Sequence, residues 1–487
     1  MHLGLLRSFE VSMQNILSVG IDVGTSTTQL VFSRIAMENT SGYFSVPRIS
    51  VTSKEVIYKS DIYLTPLKTE KLIDGEAIRD IIAREYGKAG YKPKDVDTGA
   101  VIVTGESSRK ENAEEVLRNL SCFAGDFVVS TAGPDLESII AGKGSGAYQY
   151  SIENDCVVIN MDIGGGTTNI VVFDGGETIA KTCFDIGGRL VRLSKSGAIK
   201  YVSPAAAKIA CSVGVHLRAG EPYKREQLEA VTDKMAQLLA QSIALAPAEK
   251  LLYEIQSPES SALDIRGKKI SKIFFSGGVA DCIENEKPDF AFGDIGVLLG
   301  RSIRNSLLYG SGLCAAGNET IRATVVGAGT YTTSISGSTI TYASEILPIK
   351  NIPALKLTAE EQGRCFDGDS AFLAEKIRWF IRESSCECFA LAMSGRANPE
   401  YREIKTLARC LGESFNSTLK EDVPALVVIE QDMAKALGLF LEAELDSSHR
   451  LACIDGIKVE QGDYVDIGKG VMGGLVIPVV VKTLLFG

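Results

Sequence analysis

The sequence predicts an α/β protein in which two domains enclose a nucleotide-binding cleft and a further α/β region follows them. Two strand–turn–strand segments each place an aspartate before a turn of glycine and hydroxyl residues. Strands then alternate with helices through the last third of the chain. The length of 487 residues allows roughly two to four domains, each large enough to bury its own core.

The first of these segments covers 16–32. It begins with an apolar run, which predicts a buried strand that carries Asp22 to a turn, and a second apolar strand follows. Taken alone, this is weak evidence for a binding site, because glycine turns are common in β-hairpins. The turn residues are Gly24, Thr25, Ser26 and Thr27.

The second segment, 157–173, repeats the pattern with more glycine, and its strand brings Asp162 to the turn. Consecutive glycines let backbone N–H groups face a ligand, and threonines add hydroxyl donors. A carboxylate beside such a turn suits a phosphate chain with Mg²⁺, because amides hold the anion while the carboxylate orients the waters of the metal. The turn residues are Gly164, Gly165, Gly166, Thr167 and Thr168.

The two hairpins together predict a nucleotide site. On separate domains they would clamp the phosphates of one nucleotide from both sides of a cleft, with Asp22 and Asp162 as the metal-binding and catalytic carboxylates. The alternative is two unrelated hairpins. A helix predicted over 133–146 would cross between the domains at the base of the cleft. Its Asp135 and Glu137 would orient a lytic water or simply decorate the first turn.

A strand over 272–275 opens directly into Ser276, Gly277 and Gly278. Small residues at this turn allow a flat base and a ribose to approach the backbone. Alone it is only a strand-to-helix turn, but after two phosphate hairpins it stands where an adenosine-binding turn is expected. Other elements predicted before the last third are strands over 49–63, 100–106, 127–131 and 177–185, and helices over 71–86, 110–120 and 224–251.

Composition excludes several classes of function. The net charge of −10 argues against nucleic acid as the main partner, since phosphate neutralisation needs the opposite sign. Eleven scattered cysteines fit a reducing cytoplasm better than a disulfide scaffold, and Cys386-Glu-Cys388 alone is a weak metal signal. Residues 1–10 do not predict a signal peptide, because charges interrupt their apolar run and no small-residue cleavage site follows it. The apolar stretch 471–486 is too short for a membrane span and predicts a core strand.

The order of these motifs resembles the actin-like ATPase superfamily, which has a ribonuclease H-like fold and includes actin, heat-shock chaperone ATPases, sugar kinases and bacterial cell-division ATPases. Within it the chain is similar to the reactivating factors of ethanolamine ammonia-lyase. This similarity extends from about Ile16 to the C-terminus. The segments that carry it are 132–144, 322–330, 427–436, 453–456 and 478–482.

The resemblance implies a molecular chaperone that uses ATP and Mg²⁺ to rescue its partner enzyme. Ethanolamine ammonia-lyase uses adenosylcobalamin and is inactivated when the adenosyl group is lost. The factor would bind the inactive enzyme, release the damaged cobalamin and allow intact cofactor to enter. Assembly as a homo-oligomer and association with the ethanolamine-utilisation microcompartment stay open.

The resemblance also assigns residues. The two hairpin turns would hold the phosphates, Asp22 and Asp162 would hold hydrated Mg²⁺, and the glycines of the 276–278 turn would contact adenosine. The chain departs from the chaperone ATPases at Asn169, where they often have aspartate, and at 133–135, which reads Gly-Pro-Asp instead of Glu-Pro. Both departures leave the water-activating residue open and predict slow hydrolysis.

A third Gly-Thr segment, 325–334, aligns without gaps on 20–29. Gly327 falls on the position of Asp22, so the metal-orienting carboxylate is missing. The alignment predicts a third hairpin, a non-catalytic repeat of the first that could bind an anion through its backbone amides. Convergence on a common turn is the alternative.

Two rival functions use the same fold. One is a small-molecule kinase, which needs a base for its acceptor hydroxyl, and the other is a structural protein in which the nucleotide only locks the domains together.

The sequence of the last third predicts an α/β layer, and the whole chain is predicted to divide into four regions. The predicted elements of the last third are helices over 360–382, 401–420 and 431–444 and strands over 388–393 and 425–429. The predicted regions are the N-terminal extension 1–14, the ATPase domains 15–150 and 151–318, and the C-terminal region 319–487.

Overall fold

The computed structural model describes residues 14–39, 49–69, 71–104, 107, 110–120, 123, 134–194, 197–258, 260, 263–265, 267–331, 333–337, 340–384, 386–470 and 474–483. Nearly all of the predicted N-terminal extension over 1–14 and the predicted strand over 127–131 lie outside these residues. Within the described ranges, none of the helices combines the length and the apolar character that a membrane crossing requires.

The first lobe is a sheet in the order β3-β2-β1-β5, with β4 paired to β2. Its hairpin β1–β2 is antiparallel, and β5 runs parallel to β1 on the other side. Two helices, α1 (Gly75–Ala89) and α2 (Ala113–Leu120), pack apolar residues against this sheet. The strands are β1 (Gln14–Val23), β2 (Thr27–Asn39), β3 (Ile49–Lys59), β4 (Tyr63–Leu64) and β5 (Thr98–Val103).

The second lobe is a sheet in the order β12-β11-β6-β7-β8, with a small β9–β10 ribbon beside it. Its strands are β6 (Val157–Ile163), β7 (Thr168–Asp174), β8 (Glu177–Phe184), β9 (Val191–Leu193), β10 (Ile199–Val202), β11 (Ile270–Ser276) and β12 (Cys314–Ala315). Its helices are α3 (Pro134–Gly144), α4 (Ala147–Asn154), α5 (Pro204–Ser212), α6 (Arg225–Ser242), α7 (Lys250–Glu254), α8 (Gly278–Glu284), α9 (Gly296–Arg304) and α10 (Leu307–Gly310).

The two lobes share a local plan. In each, an antiparallel hairpin carries the predicted motif, and a later strand runs parallel to its first strand: β5 beside β1, and β11 beside β6. The register also corresponds, because Asp22 lies opposite Gln29 and Asp162 lies opposite Asn169. Strands buried on both faces explain the continuous apolar runs at these positions.

The C-terminal region is a mixed sheet in the order β13-β20-β19-β15-β16-β17-β18-β14. Strands β15 to β18 are parallel, as the predicted alternation of strands and helices requires, and α12 to α15 cover them with one apolar core. The elements are α11 (Ala323–Tyr331), β13 (Thr333–Ile335), β14 (Thr341–Tyr342), β15 (Ile349–Lys356), α12 (Ala359–Phe366), α13 (Ser370–Ser384), β16 (Ala390–Met393), α14 (Tyr401–Thr418), β17 (Ala425–Ile429), α15 (Ala434–Glu444), β18 (Leu451–Ile454), β19 (Asp463–Ile467) and β20 (Pro478–Thr483).

Two helices join the lobes by packing against each other. Helix α3 lies on the second sheet, where a Cβ on Gly142 would meet Phe173 at 2.6 Å. Helix α11 lies on the first sheet, where Val325 packs with Val31 of β2. The helices cross at backbone contact: a Cβ on Gly144 would lie 1.8 Å from the carbonyl oxygen of Ala323. Glycine at the crossing is therefore a steric requirement.

The predicted third hairpin is wrong, since 323–331 is helix α11. Gly327, aligned on Asp22 in the sequence, lies in this helix against α3, where a Cβ would be 2.0 Å from the Ile140 carbonyl oxygen. Gly329 lies against Gly20 of β1, and the Ser18 hydroxyl donates to its carbonyl oxygen at 2.5 Å. The glycines that suggested a turn permit close packing instead, and this packing overrides their poor helix propensity.

Two of the predicted helices are interrupted in the structure. The helix predicted over 224–251 ends at Ser242, because Ala244 takes a positive φ of 59° and a new helix begins only at Lys250. The helix predicted over 360–382 is divided into α12 and α13, since Gly368 takes a φ of 88° between them.

The helix crossing predicts opposite effects for two Gly→Ala substitutions. Gly327→Ala should lower the free energy of unfolding by about 1–3 kcal/mol, because the new methyl group collides with the α3 backbone. Gly363→Ala is the matched control. No atom lies within 4 Å of the place that a methyl group on this helical glycine would take, so alanine there should stabilise by about 0.5–1 kcal/mol. Urea unfolding measures both, and equal effects would contradict the crossing.

Candidate functional site

A cavity of about 980 Å³ lies between the two lobes, and both predicted hairpins open into it. Most of the predicted site residues line it: Asp22, Gly24, Thr25, Ser26, Thr27, Glu137, Asp162, Gly164, Gly165, Gly166, Thr167, Gly277 and Gly278. The structure therefore brings together residues that are up to 256 positions apart in the sequence, from Asp22 to Gly278. This volume lies within the usual range for a small-molecule site.

The two hairpin turns have matching geometry. In the first, the backbone N–H of Gly24 donates to the carbonyl oxygen of Thr27 at 2.9 Å. In the second, the backbone N–H of Gly164 donates to the carbonyl oxygen of Thr167, also at 2.9 Å. The turns approach each other across the cavity, because a Cβ on Gly165 would lie 2.7 Å from the Ser26 hydroxyl. One phosphate chain could therefore contact both turns.

Each aspartate is held by a hydroxyl group from the neighbouring parallel strand. The Thr104 hydroxyl, just beyond β5, donates to Asp22 Oδ1 at 3.0 Å. The Ser276 hydroxyl, at the end of β11, donates to Asp162 Oδ1 at 2.7 Å and accepts from the Asn160 amide at 3.0 Å. Both carboxylates line the cavity and are otherwise buried.

Burial dominates the electrostatics of these two carboxylates. The pKa of Asp22 is raised to about 7, mainly because the carboxyl is removed from water; the Thr104 hydrogen bond opposes this shift, and the nearby charge of Asp162 adds to it. Burial also raises the pKa of Asp162 to about 6, against the hydrogen bond from Ser276. The pair is thus poorly stabilised as anions without a cation between the lobes.

The donor set fits Mg²⁺. Among the described residues, no cluster of three His, Cys, Asp or Glu side chains could form a complete protein cage for a metal. Two carboxylates in a phosphate-sized cleft suit a hard cation that keeps several waters and takes remaining ligands from phosphate. Asp22 and Asp162 would hold such an ion, and its charge would relieve the unfavourable burial of both.

Two residues that were predicted to contact the ligand do not line the cavity. Ser276 is fully buried behind Asp162 and does not line the cavity, because β11 ends with this side chain turned toward β6. Its role is to position the carboxylate. Thr168 is also fully buried, and its hydroxyl donates to the Ile186 carbonyl oxygen at 2.8 Å. It therefore anchors the base of the hairpin, and Thr167 is the threonine that faces the cavity.

The glycine turn after β11 lines the cavity from the second lobe. Gly277 takes a φ of 88°, and a Cβ there would lie 2.4 Å from the Ile163 carbonyl oxygen. A Cβ on Gly278 would meet no atom within 4 Å, so a flat ring has room to approach. The sequence motifs do not include several other residues that line the cavity on the second lobe, because these come from helix α8 and from loops that are separated along the chain. They are Tyr223, Asp281, Cys282, Lys287, Phe290 and Phe292.

The crossing helix α3 carries two acidic residues that the sequence predicts as candidates for orienting a water, Asp135 and Glu137. Glu137 lies on α3, lines the cavity and is only 9% exposed, so it stands where it could orient a water. Asp135 is in the first turn of α3, and its side chain lies outside the described part of the structure. Glu137 is the better-supported candidate of the two.

The raised pKa of Asp22 predicts a pH-dependent stability in metal-free protein. Between its ordinary pKa of 3.8 and the folded value of about 7, Asp22 ionises in the unfolded chain but not in the folded one. Its contribution to folding is therefore present at low pH and lost as the pH rises toward 7. Asp22→Asn should gain stability relative to wild type over this range, with no further gain above pH 7.

Urea unfolding in EDTA from pH 5 to pH 8 measures this difference, with circular dichroism to confirm that both proteins are folded. Parallel pH profiles for wild type and Asp22→Asn would contradict the assigned burial of the charge.

Known proteins resemble this chain over nearly its whole length. The family model described as ethanolamine utilisation protein EutA matches residues 14–487. The ethanolamine ammonia-lyase reactivase EutA of Salmonella typhimurium is 35% identical over 487 residues, covering 98% of this chain and all of that protein. The protein of the same name from Escherichia coli is 35% identical over 482 residues, with the same coverage.

Solved structures give weaker similarity. The PPX-GPPA enzyme of Aquifex aeolicus has a TM-score of 0.34 at 15% identity, covering 55% of this chain and 70% of that one. The ethanolamine utilization protein EutJ of Carboxydothermus hydrogenoformans has a TM-score of 0.33 at 17% identity, covering 64% of this chain and 89% of that one. The strand order confirms the predicted α/β fold, in which two lobes enclose a cleft and a further α/β region follows them.

Proposed function

Since the chain belongs to the ethanolamine utilisation protein EutA family, we propose that it is an ATP-dependent reactivating factor for ethanolamine ammonia-lyase. In this role it binds the inactivated enzyme and releases damaged cobalamin, so that intact adenosylcobalamin can enter. The names of the two bacterial relatives support the partner enzyme. Two aspartate hairpins on separate lobes, facing one cavity, support the use of a nucleotide.

Different residues of the cleft bind the phosphates, hold the metal and orient the attacking water. Backbone N–H groups of the two turns hold the phosphates, and Asp22 and Asp162 orient a Mg²⁺ ion, which when bound neutralises phosphate charge during transfer to water. Thr104 and Ser276 fix the orientation of the two carboxylates. Glu137 orients the attacking water from α3.

The same helix supplies a route from the cleft to the C-terminal region. On α3, Glu137 faces the cavity, while Leu136 and Ile140 pack with Val480 of β20. Val480 belongs to the same buried apolar cluster as Ile102 of β5, so the C-terminal sheet, the first lobe and the crossing helix share one cluster. Opening and closing of the cleft would therefore move the C-terminal sheet, and this gives nucleotide state a path to a bound partner.

A reactivation assay tests the proposed function. Ethanolamine ammonia-lyase inactivated with cyanocobalamin is incubated with the protein, Mg-ATP and adenosylcobalamin, and ammonia production is measured. We expect recovery that requires ATP and Mg²⁺. No recovery under conditions where ATP binds would contradict the proposal. Phosphate transfer to a sugar-like acceptor would favour a kinase, and binding without turnover would favour a nucleotide-locked structural protein.

Asp162→Asn should reduce Mg-dependent ATP turnover, measured as phosphate release, about 10-fold or more, because the metal loses one of its two carboxylates, while the folded structure is kept. Asp174→Asn is the matched control. Asp174 ends the other strand of the same hairpin and pairs with Lys268 on the surface, so its removal should leave turnover unchanged. Unchanged turnover in Asp162→Asn would remove this residue from the metal site.

The route through β20 predicts an uncoupled variant. Val480→Ala should keep most ATP turnover but reduce reactivation severalfold, since the contact between the crossing helix and the C-terminal sheet is weakened. Val465→Ala is the control, because Val465 is buried inside the core of the C-terminal region. Comparable losses of reactivation in both variants would indicate general destabilisation and contradict the route.

A further inference from the structure

The phosphate end of the cleft carries an arginine that the motifs do not include. Arg189 follows the loop after β8 and lines the cavity beside the second hairpin. Its backbone N–H donates to the Gly165 carbonyl oxygen at 2.7 Å, and the N–H of Gly188 donates to the Gly164 carbonyl oxygen at 3.0 Å. The loop that carries Arg189 is therefore fastened directly to the phosphate-binding turn.

The side chain of Arg189 also lies along this turn. Its Cγ and Cδ are each 3.3 Å from the position that a Cβ on Gly165 would occupy. A side chain at position 165 would thus collide with both Ser26 and Arg189. Gly165 permits three groups to converge at one point: its own amide, the Ser26 hydroxyl of the opposite lobe and the stem of Arg189.

The charge of the cavity lining makes this arginine significant. The acidic residues that line the cavity are Asp22, Glu137, Asp162, Asp281 and Asp294. Among the described lining residues the cations are Arg189 and Lys287. Lys287 is paired with Asp281 at 2.8 Å and lies 5.7 Å from the ring centre of Phe292, next to the glycine turn that would receive the base.

Arg189 differs from Lys287 in having no such partner. Within the described part of the chain its guanidinium makes no hydrogen bond or ion pair. Burial raises the pKa of Asp294, and the positive charge of Arg189 partly opposes this shift. Asp294 already accepts the backbone N–H of Gly296 at 2.8 Å. A half-buried arginine whose stem lies on the phosphate-binding turn, and whose guanidinium has unused donors, is suited to a phosphate group.

We propose that Arg189 is a phosphate-binding residue of the cleft, whose guanidinium contacts the terminal phosphates of a nucleoside triphosphate held between the two hairpins. This inference rests on the proposed nucleotide-dependent function and adds a side-chain cation to the backbone amides and the metal. Arg189 thereby makes the cleft distinguish triphosphate from monophosphate. Lys287, at the other end of the cavity, serves the nucleoside part.

Affinity for Mg-ATP and for AMP, measured by calorimetry on the full-length protein, tests this assignment. Arg189→Ala should weaken ATP binding about 10- to 100-fold, the effect of losing a charge-assisted hydrogen bond, and change AMP binding little. Lys287→Ala, the matched control, should weaken both nucleotides by a similar factor. Arg189→Lys should lose part of the ATP affinity, because a lysine keeps the charge but not the planar fork of donors.

The competing role for Arg189 is structural, as a neutralising partner of Asp294. In that case Arg189→Ala would lower the unfolding temperature and leave the ratio of ATP to AMP affinity unchanged, and this result would overturn the proposal. If Arg189→Ala does not fold, the same ratio in Arg189→Lys decides. Absence of ATP binding by the wild-type protein would overturn both this inference and the proposed function, whereas wild-type binding with an unchanged ratio in the variants overturns the inference alone.

Discussion

The close crossing of α3 and α11 holds the two lobes together. Each helix covers one sheet, and the two meet at backbone contact because Gly144 and Gly327 carry no side chains. This contact sets the distance between the lobes and hence the width of the cleft. It also places Glu137 at the cavity while Ile140, one turn further on, packs beneath the C-terminal sheet.

The electrostatics of the cleft follow from this closeness. Two aspartates from different lobes face one cavity and are mostly removed from water, so burial raises the pKa of each. Each carboxylate is positioned by a hydroxyl from the adjacent parallel strand, which leaves its free side for a cation. The two buried negative charges are therefore unfavourable without a cation, and a metal ion with phosphate ligands would balance them.

Much of this arrangement could be predicted from the sequence. Asp22 and Asp162 can be identified because an aspartate before a turn of glycine and hydroxyl residues is a local pattern, which does not depend on tertiary contacts. The parallel strands of the C-terminal region were identifiable from their short apolar runs between helices. By contrast, the Gly-Ala-Gly of α11 gives the same local signal as a turn, whereas in the structure its glycines lie in a helix that packs closely against Gly20 and Ile140. Ser276 and Thr168 were assigned to ligand, but strand register turns both hydroxyls into the protein. Arg189 has no motif, and its position depends on a loop bonded to a distant turn.

The proposed function requires that both hairpins hold one metal–nucleotide complex between them. A crystal structure with Mn²⁺ and a non-hydrolysable ATP analogue tests this most directly, because the anomalous signal locates the metal. We expect one manganese peak between Asp22 and Asp162, with the phosphates between the turns at Gly24–Thr27 and Gly164–Thr167. A nucleotide bound to one lobe only, or a manganese ion away from both aspartates, would contradict the account.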